Sequence, residues 1–191
     1  MRQARRLRHS VAVQKDFLKG GAMKLSRQQL TERLKDIRLL CLDVDGVMTD
    51  GGLYYTDDGH QMRKFNVKDG MGMQMLRRAG VEVVIITASS APAIAHRGHR
   101  LGLEHVYLET EDKLAALVGL CDKMGIDLDQ VAHMGDDVND LPVLQAVGCP
   151  LSVQDAMPMA RDAALYVTKK NGGNGAVREV CDLIISVKQS G

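Results

Sequence analysis

The chain has 191 residues, 45% hydrophobic and 26% charged, which fits one compact domain with a sizeable core. A net charge of +1 supplies no field for nucleic acid or an anionic membrane, and 3% aromatics without tryptophan give no base-stacking platform. No run approaches the ~18 apolar residues of a bilayer span, and the four cysteines (Cys41, Cys121, Cys149, Cys181) form no CxxC pair, so the expected setting is a reducing cytoplasm.

Residues 1–22 are basic and lack the apolar centre of a secretory signal; they read as a floppy extension or as a mis-assigned start ahead of Met23. The domain is expected over 23–191. Ser26–Ile37 reads as an amphipathic helix with Leu30, Leu34 and Ile37 on one stripe. "IRLLCLDV" is the first strand. "GGLYYTDDGHQMRKFNV" (51–67) alternates apolar and polar residues around "DDG", a β-hairpin signal. Its apolar face (Leu53, Tyr55, Phe65) has little to cover it in a monomer, which predicts oligomerisation. "KDGMGMQMLRRAG" follows as a helix closed by Gly80, and "VEVVIIT" is a β-branched run of the kind buried on both faces of a parallel sheet.

The alternation then repeats. "APAIAHRGHRLG" is helical, "HVYLE" a strand, "EDKLAALVGLCDKMG" a helix and "VAHMGD" a strand. "DVNDLPVLQAVG" is helical, "CPLSV" a strand, "DAMPMARDAA" a short helix and "LYVTKK" the last strand, before the closing helix "GAVREVCDLIISVKQ". Helix alternating with short apolar strand predicts an α/β fold, a doubly wound parallel sheet flanked by helices. The hairpin is the one insertion after the first strand, so no separate cap domain is expected.

Ligands of such sheets sit at the carboxyl ends of the strands. Four of those ends carry polar groups: Asp43 and Asp45; Thr87 with Ser89 and Ser90; Lys113; and Asp136, Asp137 and Asp140. Each alone has a plain structural reading, as a turn, a helix cap or a solvated lysine. Converging on one crevice, they describe phosphoryl transfer with Mg²⁺, which takes hard oxygen ligands. Asp43 is the expected nucleophile, forming an aspartyl phosphate. Asp45 protonates the leaving alkoxide and then deprotonates the attacking water. Thr87 and Lys113 hold the non-transferred oxygens. Asp136 ligates the metal, while Asp137 and Asp140 either ligate through water or orient Lys113.

"DVDGVMTDG", Thr87, Lys113 and "GDDVND" resemble, in order, the four motifs of the haloacid dehalogenase superfamily of phosphatases, and the likeness runs from about Ile37 to Val187. "FNVKDGMG" and "GGNGAVREVCDLI" are similar to the capless branch containing 3-deoxy-D-manno-octulosonate 8-phosphate (KDO 8-phosphate) phosphatases and phosphatases of nine-carbon ulosonic acids. The resemblance implies a Rossmann-like fold, Mg²⁺, lipopolysaccharide precursor synthesis, and a homotetramer whose active sites are completed by a neighbouring subunit. It implies Asp43, Asp136 and the main-chain carbonyl of Asp45 as metal ligands. It also implies substrate contacts at Asp45, Asn66, Val67, Lys68, Asp69, Gly70, Arg97 and Lys113. Two positions depart from the octulosonate pattern: Ser89 stands where an arginine is usual, and Gln74 where a basic residue is common. A substrate carboxylate would lose cationic partners there, which leaves the reaction class intact and the sugar open.

The expected activity is therefore hydrolysis of a sugar-acid phosphate, KDO 8-phosphate first and a nine-carbon ulosonate 9-phosphate second. A phosphorylatable receiver domain uses similar residues, but its acidic pair precedes a phospho-acceptor on a later strand. A non-catalytic assembly protein on the same fold is opposed by the intact Asp43, Asp45, Lys113 and Asp136. The histidines show neither HxH nor HExxH spacing, so zinc is not expected. "NGGNG" (171–175) lacks the lysine of a phosphate loop and reads as a turn before the last helix; the resemblance of "GGNGAVRE" implies that it reaches a neighbour's active site.

Overall fold

The computed structural model describes residues 27–190; the expected extension over 1–22 lies outside the described residues. Six parallel strands form the sheet: β1 (Leu39–Leu42), β4 (Glu82–Ile86), β5 (His105–Tyr107), β6 (Val131–Gly135), β7 (Cys149–Ser152) and β8 (Tyr166–Val167). The order is β5-β4-β1-β6-β7-β8. The chain builds outward from β1 through β4 to β5, then returns to β6 on β1's other side. That reversal creates a switch point between β1 and β6, where such sheets place their ligands.

Alternation along the strands explains the layers. In β1, Leu40 and Leu42 enter one core, with Val83, Ile85, Ala132 and Met134, while Leu39 and Cys41 enter another, with Val84, Ile86 and Val131. The first core is covered by helices α1 (Arg27–Lys35), α2 (Val67–Arg78), α3 (Pro92–Leu101), α6 (Pro158–Ala163) and α7 (Ala176–Gln189). The second is covered by α4 (Lys113–Met124) and the short α5 (Leu141–Leu144). Helices on both faces make the doubly wound, Rossmann-like arrangement that the sequence predicts. All four cysteines are buried thiols. Among the described residues no helix is long and apolar enough to cross a membrane.

Two expectations need correction. The hairpin pairs only β2 (Tyr54–Tyr55) with β3 (Gln61–Met62), much less than 51–67. Its flanks leave the ladder because Arg63 and Phe65 turn inward: Phe65 packs against the core, with the Arg97 guanidinium 5.8 Å from its ring centroid. Of the predicted apolar face, Leu53 (54%) and Tyr55 (57%) stay exposed and Phe65 does not. The helix expected over "DVNDLPVLQAVG" breaks into a 3₁₀ turn (Val138–Asp140) and α5. Pro142 has no amide hydrogen, and its ring would clash with a helical carbonyl four residues earlier.

Two cross-chain braces shape the region around β1. The α7 N-terminus has no side-chain cap of its own; Asp69, on α2, accepts from the Arg178 amide at 2.8 Å instead. The "NGGNG" turn packs on its own chain's 44–51 loop, where the Gly173 amide donates to the Val47 carbonyl at 3.0 Å. A Cβ on Gly172 would overlap the Gly46 carbonyl, so only glycine allows this approach.

Candidate active site

Asp43 follows β1 directly and is still tied to the sheet, its amide donating to the Met134 carbonyl at 3.1 Å. The chain then turns through residues 44–51, organised by the fully buried Thr49. Its hydroxyl donates to the Val44 carbonyl and accepts from the Gly46 and Gly51 amides, each at 3.3 Å. Gly46 has φ +85°, and a Cβ there would overlap the Asp136 carboxylate. This glycine lets the first loop and the β6 loop close on each other.

Lys113, the first residue of α4, is 2% exposed rather than solvated. Its Nζ lies 2.9 Å from Asp43 Oδ1 and 2.7 Å from Asp140 Oδ1. Asp140 is fully buried; its Oδ2 accepts from the Asp136 amide at 3.1 Å, and Oδ1 lies 3.3 Å from His133 Nε2. A carboxylate can only accept, so that ring nitrogen carries the hydrogen. Burial pushes Asp140 up, but His133 and the Lys113 ammonium outweigh it and hold the carboxyl low, at about 2.

The other two acids move the opposite way. Burial and the neighbouring Asp140 raise Asp43 to about 6, against the pull of Lys113. Burial raises Asp136 to about 7, with Asp43, Asp140 and Asp137 adding repulsion. One carboxylate oxygen from each of Asp43, Asp136 and Asp140 falls within a span of 4.8 Å. A single lysine does not balance this cluster, and hard oxygen donors around surplus negative charge fit Mg²⁺. Asp140 already accepts from Lys113, His133 and the Asp136 amide, which leaves Asp43 and Asp136 as the carboxylates freest to hold an ion.

A cavity of about 320 Å³ opens here, lined by Asp43, Asp45, Thr87, Ser89 and Asp136, with Gly46, Gly51, Ala88 and Asp137–Asn139 completing the wall. Thr87 is 2% exposed, and its Oγ1 accepts from the Ser89 amide at 3.2 Å. Lys113 stands behind Asp43 and is not part of the lining. Asp137 points its carboxylate at the Val138 amide (2.6 Å) and does not reach Lys113, which Asp140 alone of the two holds.

The residues assigned to substrate contact lie elsewhere. Asn66, Val67, Lys68, Asp69, Gly70 and Arg97 do not line the cavity of their own chain. Asn66 caps α2 by accepting from the Lys68 amide at 2.9 Å and reaches the Gly173 carbonyl at 3.3 Å. Val67 is 77% exposed, whereas Asp69 and Gly70 are buried. Arg97 donates to the Asn66 carbonyl at 3.1 Å, beneath this loop.

Two residues escaped sequence reasoning. His133 belongs to no metal-binding spacing, yet it braces Asp140. Arg63 was one more polar position of a hairpin, yet its side chain is 4% exposed and paired with Asp45. No motif marks either residue. Only the alternation of β6 could have turned His133 toward a site residue.

The haloacid dehalogenase-like hydrolase family matches residues 97–180. The KDO 8-phosphate phosphatase KdsC of Yersinia pestis is 44% identical over 154 residues, 81% of this chain and 82% of that protein. Its Escherichia coli K12 counterpart is 43% identical over 153 residues, 80% of this chain and 81% of the relative. The crystal structure of the Moraxella catarrhalis KDO 8-phosphate phosphatase, in complex with a magnesium ion, a phosphate ion and KDO, superposes with a TM-score of 0.84 at 39% identity. The match covers 86% of this chain and 95% of that one. The cobalt-bound Haemophilus influenzae enzyme gives 0.79 at 34%, covering 82% and 92%. With the acid–lysine cluster at the β1–β6 switch point and relatives of this identity along most of its length, the chain belongs to the KDO 8-phosphate phosphatase family of haloacid dehalogenase-like hydrolases.

Proposed function

We propose that the chain hydrolyses KDO 8-phosphate to KDO and phosphate through an aspartyl phosphate on Asp43, supplying lipopolysaccharide precursor synthesis in the cytoplasm. The observation that carries this reading is the Asp43–Lys113 pair, 2.9 Å apart beside Asp136. It joins a nucleophilic carboxylate, a buried cation and a second carboxylate at one cavity. The Lys113 ammonium favours the ionised, attacking form of Asp43. Asp45 gives a proton to the leaving alkoxide and takes one from the water that cleaves the aspartyl phosphate. Thr87 donates to a non-bridging phosphate oxygen, and Lys113 offsets the charge that develops. Asp43, Asp136 and the Asp45 main-chain carbonyl would hold Mg²⁺, which neutralises phosphate charge when bound. Asp140 acts by holding Lys113.

The loop Asn66–Gly70, braced by Arg97, does not line its own chain's cavity and is assigned to a neighbouring subunit's site in a homotetramer. The exposed Leu53, Tyr54, Tyr55 and Met62 of the hairpin support that assembly. Ser89, standing where the octulosonate pattern usually has an arginine, weakens that assignment and keeps a nine-carbon ulosonate 9-phosphate as the second reading.

The deciding experiment is phosphate release from KDO 8-phosphate, two nine-carbon ulosonate 9-phosphates and simple hexose phosphates. It is run with Mg²⁺ or EDTA, for wild type and Asp43→Asn. Preference for KDO 8-phosphate, lost with EDTA and in the variant, is the expected result. Preference for a nine-carbon acid moves the substrate and keeps the mechanism, and no metal-dependent release from any compound overturns the reading.

A further inference from the structure

Arg63 directly follows β3 of an exposed two-stranded hairpin, yet its side chain is 4% exposed because it reaches back into the body of the protein. Its Nε donates to Asp45 Oδ1 at 2.8 Å and its Nη2 to Asp45 Oδ2 at 3.1 Å, a two-bonded fork on one carboxylate. Nη2 also donates to Ser89 Oγ at 3.1 Å. On the other side, Nη1 donates to Gln61 Oε1 at 3.0 Å, and Gln61 Nε2 donates to the Tyr55 hydroxyl at 3.1 Å. The guanidinium is thus held from the hairpin and holds two residues that line the cavity, while lying behind that wall itself.

We propose that Arg63 is the positioning residue for Asp45, fixing the carboxylate that carries the proton and locking it, with Ser89, to the hairpin. The proposal rests on the reading of Asp45 as the proton carrier. An aspartate on a loop has two free side-chain torsions, and proton transfer needs its oxygen within hydrogen-bond reach of the leaving group. The planar fork removes that freedom. A carboxylate offers about four lone-pair sites and the fork uses two, so two remain for a proton. In the first half-reaction the bond from phosphorus to the sugar oxygen breaks, the bond from Asp43 to phosphorus forms, and the Asp45 proton moves to the departing alkoxide. In the second, water oxygen bonds to phosphorus, the aspartyl phosphate bond breaks, and the water proton returns to Asp45. Lysine would keep the charge at position 63 without the fork.

The test is kcat and KM, with Mg²⁺, for wild type, Arg63→Met and Arg63→Lys. The substrates are KDO 8-phosphate and a series of aryl phosphates from p-nitrophenyl to phenyl. An alkoxide needs a proton as it leaves, whereas p-nitrophenolate does not. Arg63→Met is expected to lower kcat/KM for KDO 8-phosphate about 10²-fold. The loss shrinks to about 5-fold or less for p-nitrophenyl phosphate, so the dependence on leaving-group basicity steepens across the series. Arg63→Lys, which keeps the charge without the fork, restores part of this and carries the same comparison if the methionine variant is insoluble. Equal losses on every substrate would mean a purely structural arginine and overturn the proposal. A loss confined to KDO 8-phosphate, with KM raised and no trend among aryl phosphates, would make Arg63 a substrate contact and overturn it too. Wild type inactive on all compounds would instead overturn the phosphatase reading, and this proposal with it.

Discussion

Lys113 Nζ lies 2.7 Å from Asp140 Oδ1, and neither side chain is more than 2% exposed. The same ammonium reaches Asp43 at 2.9 Å, so one buried cation serves two buried carboxylates. Lys113→Met would leave both without it. Removing one partner of a buried pair costs about 3–5 kcal/mol, chiefly because the remaining charge stays desolvated. Urea denaturation of the metal-free variant should show a loss of that size at pH 8. The loss should be smaller at pH 5, where Asp43, already raised to about 6 with Lys113 in place, takes up a proton. Phosphate release should disappear at both pH values.

Gly172→Ala tests the brace between the 171–175 turn and the loop after Asp43. The added methyl group meets the Gly46 carbonyl and the Thr49 carbonyl, both backbone atoms that cannot swing aside. Overpacking of this kind costs about 1–3 kcal/mol. A lower melting temperature is expected, with kcat falling as the Gly46 loop is pushed toward Asp136. A variant with wild-type stability and kcat would show that the two loops do not depend on each other.

The sheet and the acid cluster were legible in the sequence for physical reasons. Strands buried on both faces must be apolar throughout, as "LLCL" and "EVVII" are, and parallel strands bring their carboxyl ends to one edge whatever their separation along the chain. Asp43, Thr87, Lys113 and Asp136 therefore converge from strand order alone. Arg63 was not legible, because it meets Asp45 only after the hairpin flank leaves its ladder and turns inward. Nor was Asp69, whose acidic position in the first turn of α2 hides its service to the start of α7, 109 residues away. Pro142 did announce the break in the helix after Asp137, a signal that apolar periodicity alone overrides.

Asp69→Ala removes the acceptor that satisfies the Arg178 amide, leaving the first turn of α7 without its cap. Loss of a helix cap costs about 1 kcal/mol, up to about 2 in a buried setting. Asp69→Asn keeps the acceptor oxygen and should retain most of the stability. Thermal melts of the two variants separate the cap from the charge. If both melt alike, well below wild type, the negative charge rather than the hydrogen bond holds this end of the helix.

On the hairpin, Leu53 is 54% exposed beside Tyr54 and Tyr55. Size exclusion with light scattering should give an oligomer for wild type, and Leu53→Glu should shift it toward the monomer by placing a charge where an apolar contact is needed. Because the Asn66–Gly70 loop is assigned to a neighbour's site, the monomeric variant should also raise KM for the sugar phosphate. A wild-type monomer at assay concentration would remove the basis for that assignment.

Magnesium should stabilise the protein more at pH 8 than at pH 5, and the sign follows from the two raised carboxyls. Asp136 is pushed from 3.8 to about 7 and Asp43 from 3.8 to about 6, both first by burial. Between those limits the metal-free folded chain binds more protons than the unfolded one. The stability contributed by these two groups is then fully present below about pH 3.8 and is lost as pH rises through about 6 and 7. An ion held by Asp43 and Asp136 needs both ionised, so it competes with the same protons. At pH 8 it meets two charged carboxylates whose repulsion it relieves; at pH 5 it must displace protons first. Thermal melts with and without saturating Mg²⁺ should therefore show a larger upward shift at pH 8, abolished in Asp136→Asn. An equal shift at both pH values would mean that the ion binds outside this cluster.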